Sequence, residues 1–199
     1  MSVRPGPVVI AVCGCPGGGK TTIASAVAAR LGIPFLTRDE IKAGLGLSSA
    51  FAAEDGSVQF EGDFHVAGGL VSLRAEAVLA DAARLFASLG VSFVVESSVF
   101  SRELLGVLLA CDARVLAVHV VAREAVVGRR LRARAAGGRA VDQQLLALFE
   151  RGEMKRSIFE PPESVAAVVE IDTSSGGAPA IETIVAATVA LLGPSGGSG

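Results

Sequence analysis

Val8-Val9-Ile10-Ala11-Val12-Cys13-Gly14-Cys15-Pro16-Gly17-Gly18-Gly19-Lys20-Thr21 is the stretch on which the fold of this chain turns. Val8 to Cys13 is an unbroken apolar run, the pattern of a strand buried on both faces in a parallel sheet. Gly14 to Gly19 is a glycine-rich turn. From Lys20 to Leu31 the residues become alanine-rich and helical, and Gly32 with Pro34 ends that helix. Gly14 to Thr21 satisfies every fixed position of G-x-x-x-x-G-K-[ST]. Between a buried strand and a helix, this spacing builds an anion cradle. The glycines let the backbone wrap closely, and successive N–H groups with the helix N-terminus bind phosphate. A chance glycine-rich turn would account for neither the lysine nor the flanking elements.

Outward from this loop, apolar runs alternate with helical patterns. Strands are expected at 34–36, Val91 to Val95, Arg114 to Val121 and Val165 to Ile171. Helices are expected at Asp39 to Leu45, Ser101 to Ala110, Arg123 to Ala136, Val141 to Lys155 and Ala180 to Leu192. Val66, Leu70, Leu73, Ala77 and Ala80 recur at helical spacing up to Gly90. Ser48 to Gly62 is polar, aperiodic and long for a connection, which marks a functional loop. The alternation predicts an α/β fold, a five-stranded parallel sheet sandwiched by helices. Residues 1–192 read as one domain, with a helical lid near 128–142 and an acceptor-binding insertion near 48–65. The segment 193–199 reads as a flexible tail.

Composition narrows the function. The 199 residues carry a net charge of -2, with 51% hydrophobic residues and neither Trp nor Tyr. The absence of a basic surplus and of Trp and Tyr for base stacking argues against nucleic acid. Three cysteines, Cys13, Cys15 and Cys111, have no matching pairs for a zinc site and fit a reduced, cytoplasmic setting. No leader is visible in the first residues, and no apolar stretch reaches spanning length without Gly, Pro or charge. The sequence does not set the oligomeric state.

The expected cofactors are ATP and Mg²⁺. Gly14, Cys15, Pro16, Gly17, Gly18, Gly19, Lys20, Thr21 and Thr22 would line the nucleotide. Lys20 would reach the β- and γ-phosphates, and Thr21 would offer its hydroxyl to Mg²⁺. Asp39 follows the second strand, where strand ends face a common crevice. It is either a base that takes a hydroxyl proton or only a cap of the next helix. Glu96 ends the third strand, where the carboxylate that holds Mg²⁺ or its water belongs; its length also lets it address the acceptor. Ser97, Phe60 and Asp63 are further acceptor candidates. Arg130 and Arg134, four apart, share one helix face beside the Gly137-Gly138 break. His119, inside an apolar strand, reads as a satisfied core histidine.

Gly14 to Leu45 resembles the opening of the P-loop small-molecule kinases that include chloramphenicol phosphotransferase, gluconate kinase and zeta toxins, and of the kinase domain of polynucleotide kinase. The resemblance implies a nucleoside-monophosphate-kinase-like fold and Asp39 as general base. It also implies Arg38 and Lys42 near the acceptor or γ-phosphate. Arg130-Leu131-Arg132-Ala133-Arg134 is similar to the lid entry of adenylate-kinase-like enzymes. There the first arginine packs on adenine and the later one, here Arg134, contacts phosphate; Thr173 and its loop would lie against the adenine. The implied activity is transfer of the γ-phosphate of ATP to a hydroxyl of a small molecule, with an antibiotic or other secondary metabolite among the candidates. Two other functions remain open: a polynucleotide 5′-hydroxyl kinase, and a nucleotide-dependent switch or toxin-like protein.

Overall fold

The computed structural model describes residues 6–60, 64, 68–175 and 181–192. Five parallel strands form the sheet: β1 (Val8–Cys13), β2 (Phe35–Thr37), β5 (Phe93–Glu96), β6 (Arg114–Val121) and β7 (Ala167–Asp172), in the spatial order β2-β5-β1-β6-β7. A two-stranded hairpin, β3 (Phe51–Ala52) and β4 (Val58–Gln59), stands apart from it. The helices are α1 (Lys20–Leu31), α2 (Arg38–Ser48), α3 (Leu70–Ser88), α4 (Arg102–Leu109), α5 (Glu124–Ala135), α6 (Ala140–Glu150) and α7 (Ile181–Leu192). A short 3₁₀ turn covers Arg156–Phe159.

The strand period of two sorts β1 between two cores. Val9, Ala11 and Cys13 pack with Leu79 of α3 and Leu104 and Leu108 of α4. Val8, Ile10 and Val12 pack with Ile23 and Val27 of α1 and Ile184 of α7. Burial on both faces is why β1 reads as a continuous apolar run. Each fully buried valine or isoleucine contributes about 1.5–3 kcal/mol. This doubly covered central strand therefore fixes the loop at its C-terminal end rigidly.

Local rules explain several boundaries. Gly32 caps α1 in the left-handed region and donates its N–H to the Ala29 carbonyl. The Ser101 hydroxyl accepts the Leu104 N–H at 3.1 Å and starts α4. Other expectations need correction. The helix foreseen to Lys155 stops at Glu150, and Gly152 follows in a left-handed conformation. Residues 51–59, expected to be aperiodic, contain the β3–β4 hairpin. On α3 the buried stripe is Ser72, Ala75, Leu79, Ala83 and Ala87, while Leu70 and Leu73 lie exposed. The helix is apolar on most sides, so spacing alone did not select its inner face. Val66 and the tail 193–199 lie outside the described residues.

Candidate active site

The C-terminal ends of β1, β2, β5 and β7 open onto one cleft of about 1060 Å³. Its floor is the phosphate loop. Gly14 has φ +139°, and a Cβ there would stand 2.1 Å from the Val120 carbonyl oxygen, so only glycine lets β1 turn against β6. The Cys15 carbonyl accepts both the Gly18 N–H at 3.1 Å and the Lys20 ammonium at 3.2 Å, folding the loop on itself. Gly19, in the left-handed region, precedes α1, whose first N–H groups receive no side-chain cap. Those donors are left to an anion.

Lys20 and Glu96 are buried against each other, Nζ to Oε1 at 3.8 Å. Thr21 and Thr37 donate their hydroxyls to Glu96 Oε2 at 3.4 and 3.0 Å. Burial pushes the Glu96 carboxyl up against the opposing pull of Lys20, and burial pushes Lys20 down despite Glu96. Each group is biased toward its neutral form. Glu96 is therefore not a solvent-facing acid at a strand end; its carboxylate is turned to Lys20 and Thr21. Thr37 precedes α2 but spends its hydroxyl on Glu96, leaving no side-chain cap on that helix.

Asp39 is the second residue of α2, so it is not the N-cap that the simpler reading made it. Its side chain is 78% exposed on the cleft wall, with Arg38 at 3.6 Å. Burial dominates the downward shift of Lys20 and the upward shift of Glu96, and the Asp39 charge adds a smaller upward pull on each. Arg38 is held by the Ser72 carbonyl at 3.5 Å and by Glu76 at 3.9 Å. Lys42 is buried, its ammonium 5.6 Å from the centre of the Phe64 ring. Phe64 lines the cleft, and Phe60, an acceptor candidate, stacks on Phe64 at 4.4 Å without itself lining the cleft. Ser97 lines the cleft, nearly buried. Asp63 lies outside the described residues.

The arginine helix brings Arg130 and Arg134 to the cleft, where each also has protein partners. Arg130 donates to the carbonyls of Gly17 and Gly18 at 3.1 and 3.2 Å, and to the hydroxyl and carbonyl of Thr173 at 3.0 Å each. Its guanidinium thus ties the phosphate loop to the end of β7. The Thr173 hydroxyl closes the same knot on the Gly18 carbonyl at 2.6 Å. Arg134 lines the cleft but is paired with Asp142 at 2.7 Å, and Arg139 joins the same carboxylate at 3.4 Å. Arg132 pairs with Glu150 at 3.4 Å, in keeping with a solvated helix face. His119 is buried, with Nδ1 3.5 Å from Glu170, and burial lowers its pKa. Residues 176 and 177, expected near the adenine, lie outside the described residues.

Sequence reasoning offers Thr37 only as a helix cap and does not single out Asp142. Neither belongs to a spacing pattern, and each takes its meaning from a partner distant in the chain or across a turn.

Mg²⁺ is the ion that this loop implies, and the donors fit it. Mg²⁺ takes one or two protein oxygens together with phosphate and water. The Thr21 hydroxyl and the Glu96 carboxylate already converge beside Lys20. Among the described residues no cluster of three His, Cys, Asp or Glu offers an all-protein cage, and a phosphate-dependent ion needs none.

A phosphate loop on a doubly covered strand, a buried lysine paired with a strand-end carboxylate, and an arginine helix pinned to the loop define a P-loop kinase, an ATP-dependent enzyme. The chain belongs to the AAA domain family, whose model matches residues 9–155. Its fold is shared by a candidate kinase from Chloroflexus aurantiacus, at 21% identity and TM-score 0.73 over 96% of this chain and 98% of that one. A gluconokinase from Sinorhizobium meliloti is 20% identical, with TM-score 0.50 over 95% and 93% of the two chains. The APS kinase of Mycobacterium tuberculosis, in complex with AMPPNP and APS, is 16% identical, with TM-score 0.55 over 95% and 99%. At these identities the likeness is one of fold. No curated protein matches the sequence. No described helix is long and apolar enough to cross a membrane.

Proposed function

We propose that the protein transfers the γ-phosphate of ATP to a hydroxyl group of a small molecule seated between α2, α3 and Phe64. The observation that carries this reading is Asp39: a carboxylate at the exit of β2, exposed to the cleft, not used as a cap, and within the field of Lys20 and Glu96. A base placed there accepts the hydroxyl proton and aims the oxygen at the phosphate. Lys20 and the loop N–H groups hold the phosphates. Thr21 and Glu96 would hold Mg²⁺, which neutralises charge on the phosphates when bound. Arg38 and Lys42 border the acceptor end. The segment near 128–142, which contains the Gly137-Gly138 break between α5 and α6, serves as the lid that excludes water.

Gluconokinase and APS kinase share the fold, which supports a small acceptor. The test is ³¹P NMR on the protein with Mg-ATP and a panel of sugars, sugar acids, antibiotics, other secondary metabolites and 5′-hydroxyl oligonucleotides. A new phosphomonoester on a small compound, lost in Asp39→Asn, supports the reading. Phosphorylation of the oligonucleotide alone, or free phosphate with no acceptor modified, overturns it.

A further inference from the structure

We propose that Asp142 is a positioning residue that sets the Arg134 guanidinium for the terminal phosphate of the nucleotide. The inference rests on the kinase reading above and adds a residue to it. Asp142 is the third residue of α6 and only 2% exposed. Arg134 Nη2 lies 2.7 Å from its Oδ1, and Arg139 Nε lies 3.4 Å from its Oδ2. Among the described residues, Oδ1 is buried with no aligned hydrogen-bond donor. The Arg134 contact is therefore an ion pair whose N–H vectors do not point at the oxygen.

A buried carboxylate is expensive, and packing does not require one here. The two helices are already seated by Phe149 against Gly128, where a Cβ would stand 2.8 Å from the ring. The carboxylate instead gathers two cations that both line the cleft. Arg134 is 45% exposed, and without an anchor its long side chain would sample many rotamers over open solvent. A guanidinium carries five N–H donors in a planar fork. One off-line contact through Nη2 fixes the side chain and leaves donors for phosphate. Such preorganisation strengthens binding by reducing the order that must be imposed when the ligand arrives.

The test is calorimetry of Mg-ATP and Mg-ADP binding to the full chain, for wild type, Arg134→Ala, Asp142→Asn, Asp142→Glu and the Asp142→Asn/Arg134→Ala double variant. Wild type is expected to prefer ATP over ADP. Arg134→Ala loses on the order of tenfold of that preference, Asp142→Asn loses most of the same factor, and the double variant loses no more than Arg134→Ala. Asp142→Glu recovers part of it. An unchanged ATP-to-ADP ratio in Asp142→Asn or in Arg134→Ala overturns the proposal. So does an increased ratio in Asp142→Asn, which would make the carboxylate a latch. Parallel loss of ATP and ADP affinity with a lowered melting temperature overturns it as well, by showing a purely structural post. Neither nucleotide needs an acceptor, so failure to find the phosphorylated product leaves this result standing, whereas failure to bind either nucleotide removes both readings.

Discussion

Replacing Lys20 with alanine should do two separable things: abolish nucleotide binding and strand a buried carboxylate. The Lys20 and Glu96 side chains are 7% and 5% exposed and 3.8 Å apart. At an effective dielectric constant of roughly 20 their attraction is about 4 kcal/mol. Removing one partner of such a pair costs about 3–5 kcal/mol. Thr21 and Thr37 still donate to Glu96 in the variant, which sets the expected loss near the lower end, about 3 kcal/mol. For a chain of this size that is roughly 6–12 °C in Tm. Lys20→Ala/Glu96→Gln should recover most of the loss, because no charge is left unpaired, yet still bind no ATP. The deficit of Lys20→Ala also depends on pH. Burial already holds the Glu96 carboxyl above its ordinary 4.5, and Lys20 pulls against that shift. Without Lys20 the pKa climbs further, so the deficit is full above that raised pKa and shrinks as pH falls through it and the acid becomes neutral. Differential scanning fluorimetry across pH, with nucleotide titration of each variant, reads both effects. A Tm for Lys20→Ala within about 2 °C of wild type at neutral pH, or a double variant as unstable as the single, would refute the account of a mutually dependent buried pair.

Three other outcomes are expected. Asp39→Asn should lower kcat about a hundredfold or more in the phosphoryl-transfer assay while leaving ATP affinity and Tm unchanged, since its exposed pairing with Arg38 contributes under about 1 kcal/mol; preserved turnover would move the base elsewhere. Gly46→Ala places a Cβ 2.4 Å from the Phe64 ring, so the Phe60–Phe64 stack must swing away: acceptor KM should rise on the order of tenfold with ATP binding intact, and an unchanged KM would remove Phe64 from the acceptor wall. Because Glu96 is held above 4.5 by burial, Mg²⁺-dependent ATP binding should lose its carboxylate, and weaken, at a pH above that ordinary value on acidification. That acid limb should disappear in Glu96→Gln, and its persistence there would assign the titration to another group.

The sheet and the phosphate loop were legible because their signals are local and redundant. Val8 to Cys13 must be apolar at every position to be covered on both faces, and Gly14 to Thr21 must meet steric and charge demands within a single turn. α3 shows the opposite case. Alanines and leucines cover most of its circumference, so Leu70 and Leu73 made as good a stripe as Ala75 and Leu79. Ala83, Ala87 and Leu79 are buried because they join the core cluster with β1 and β5 side chains, and that is a property of the facing surface rather than of the helix. The hairpin at 51–59 was hidden because two-residue strands carry no readable period.

At the site, the sequence was most informative about residues that act through their own chemistry and least about residues that act through a neighbour. The phosphate-loop position marked Lys20 out directly, whereas for Asp39 position left base and cap open and only the family resemblance favoured the base. Position did not assign Thr37 its partner: its hydroxyl suggests a helix cap, and only the parallel register of Thr37 with Glu96 turns it onto the carboxylate. Arg130 shows a second role that position does not reveal. Its place in the helix suits contact with a nucleotide, but a planar fork with five donors is equally suited to three carbonyls and a hydroxyl. The phosphate loop and β7 present those acceptors together. A loop that must keep its N–H groups turned toward an anion needs its outward carbonyls satisfied. Arg130 does this for Gly17 and Gly18, and so holds the cradle in shape before any phosphate arrives. Arg134, four residues on, lines the cleft and is paired with the buried Asp142 across the turn.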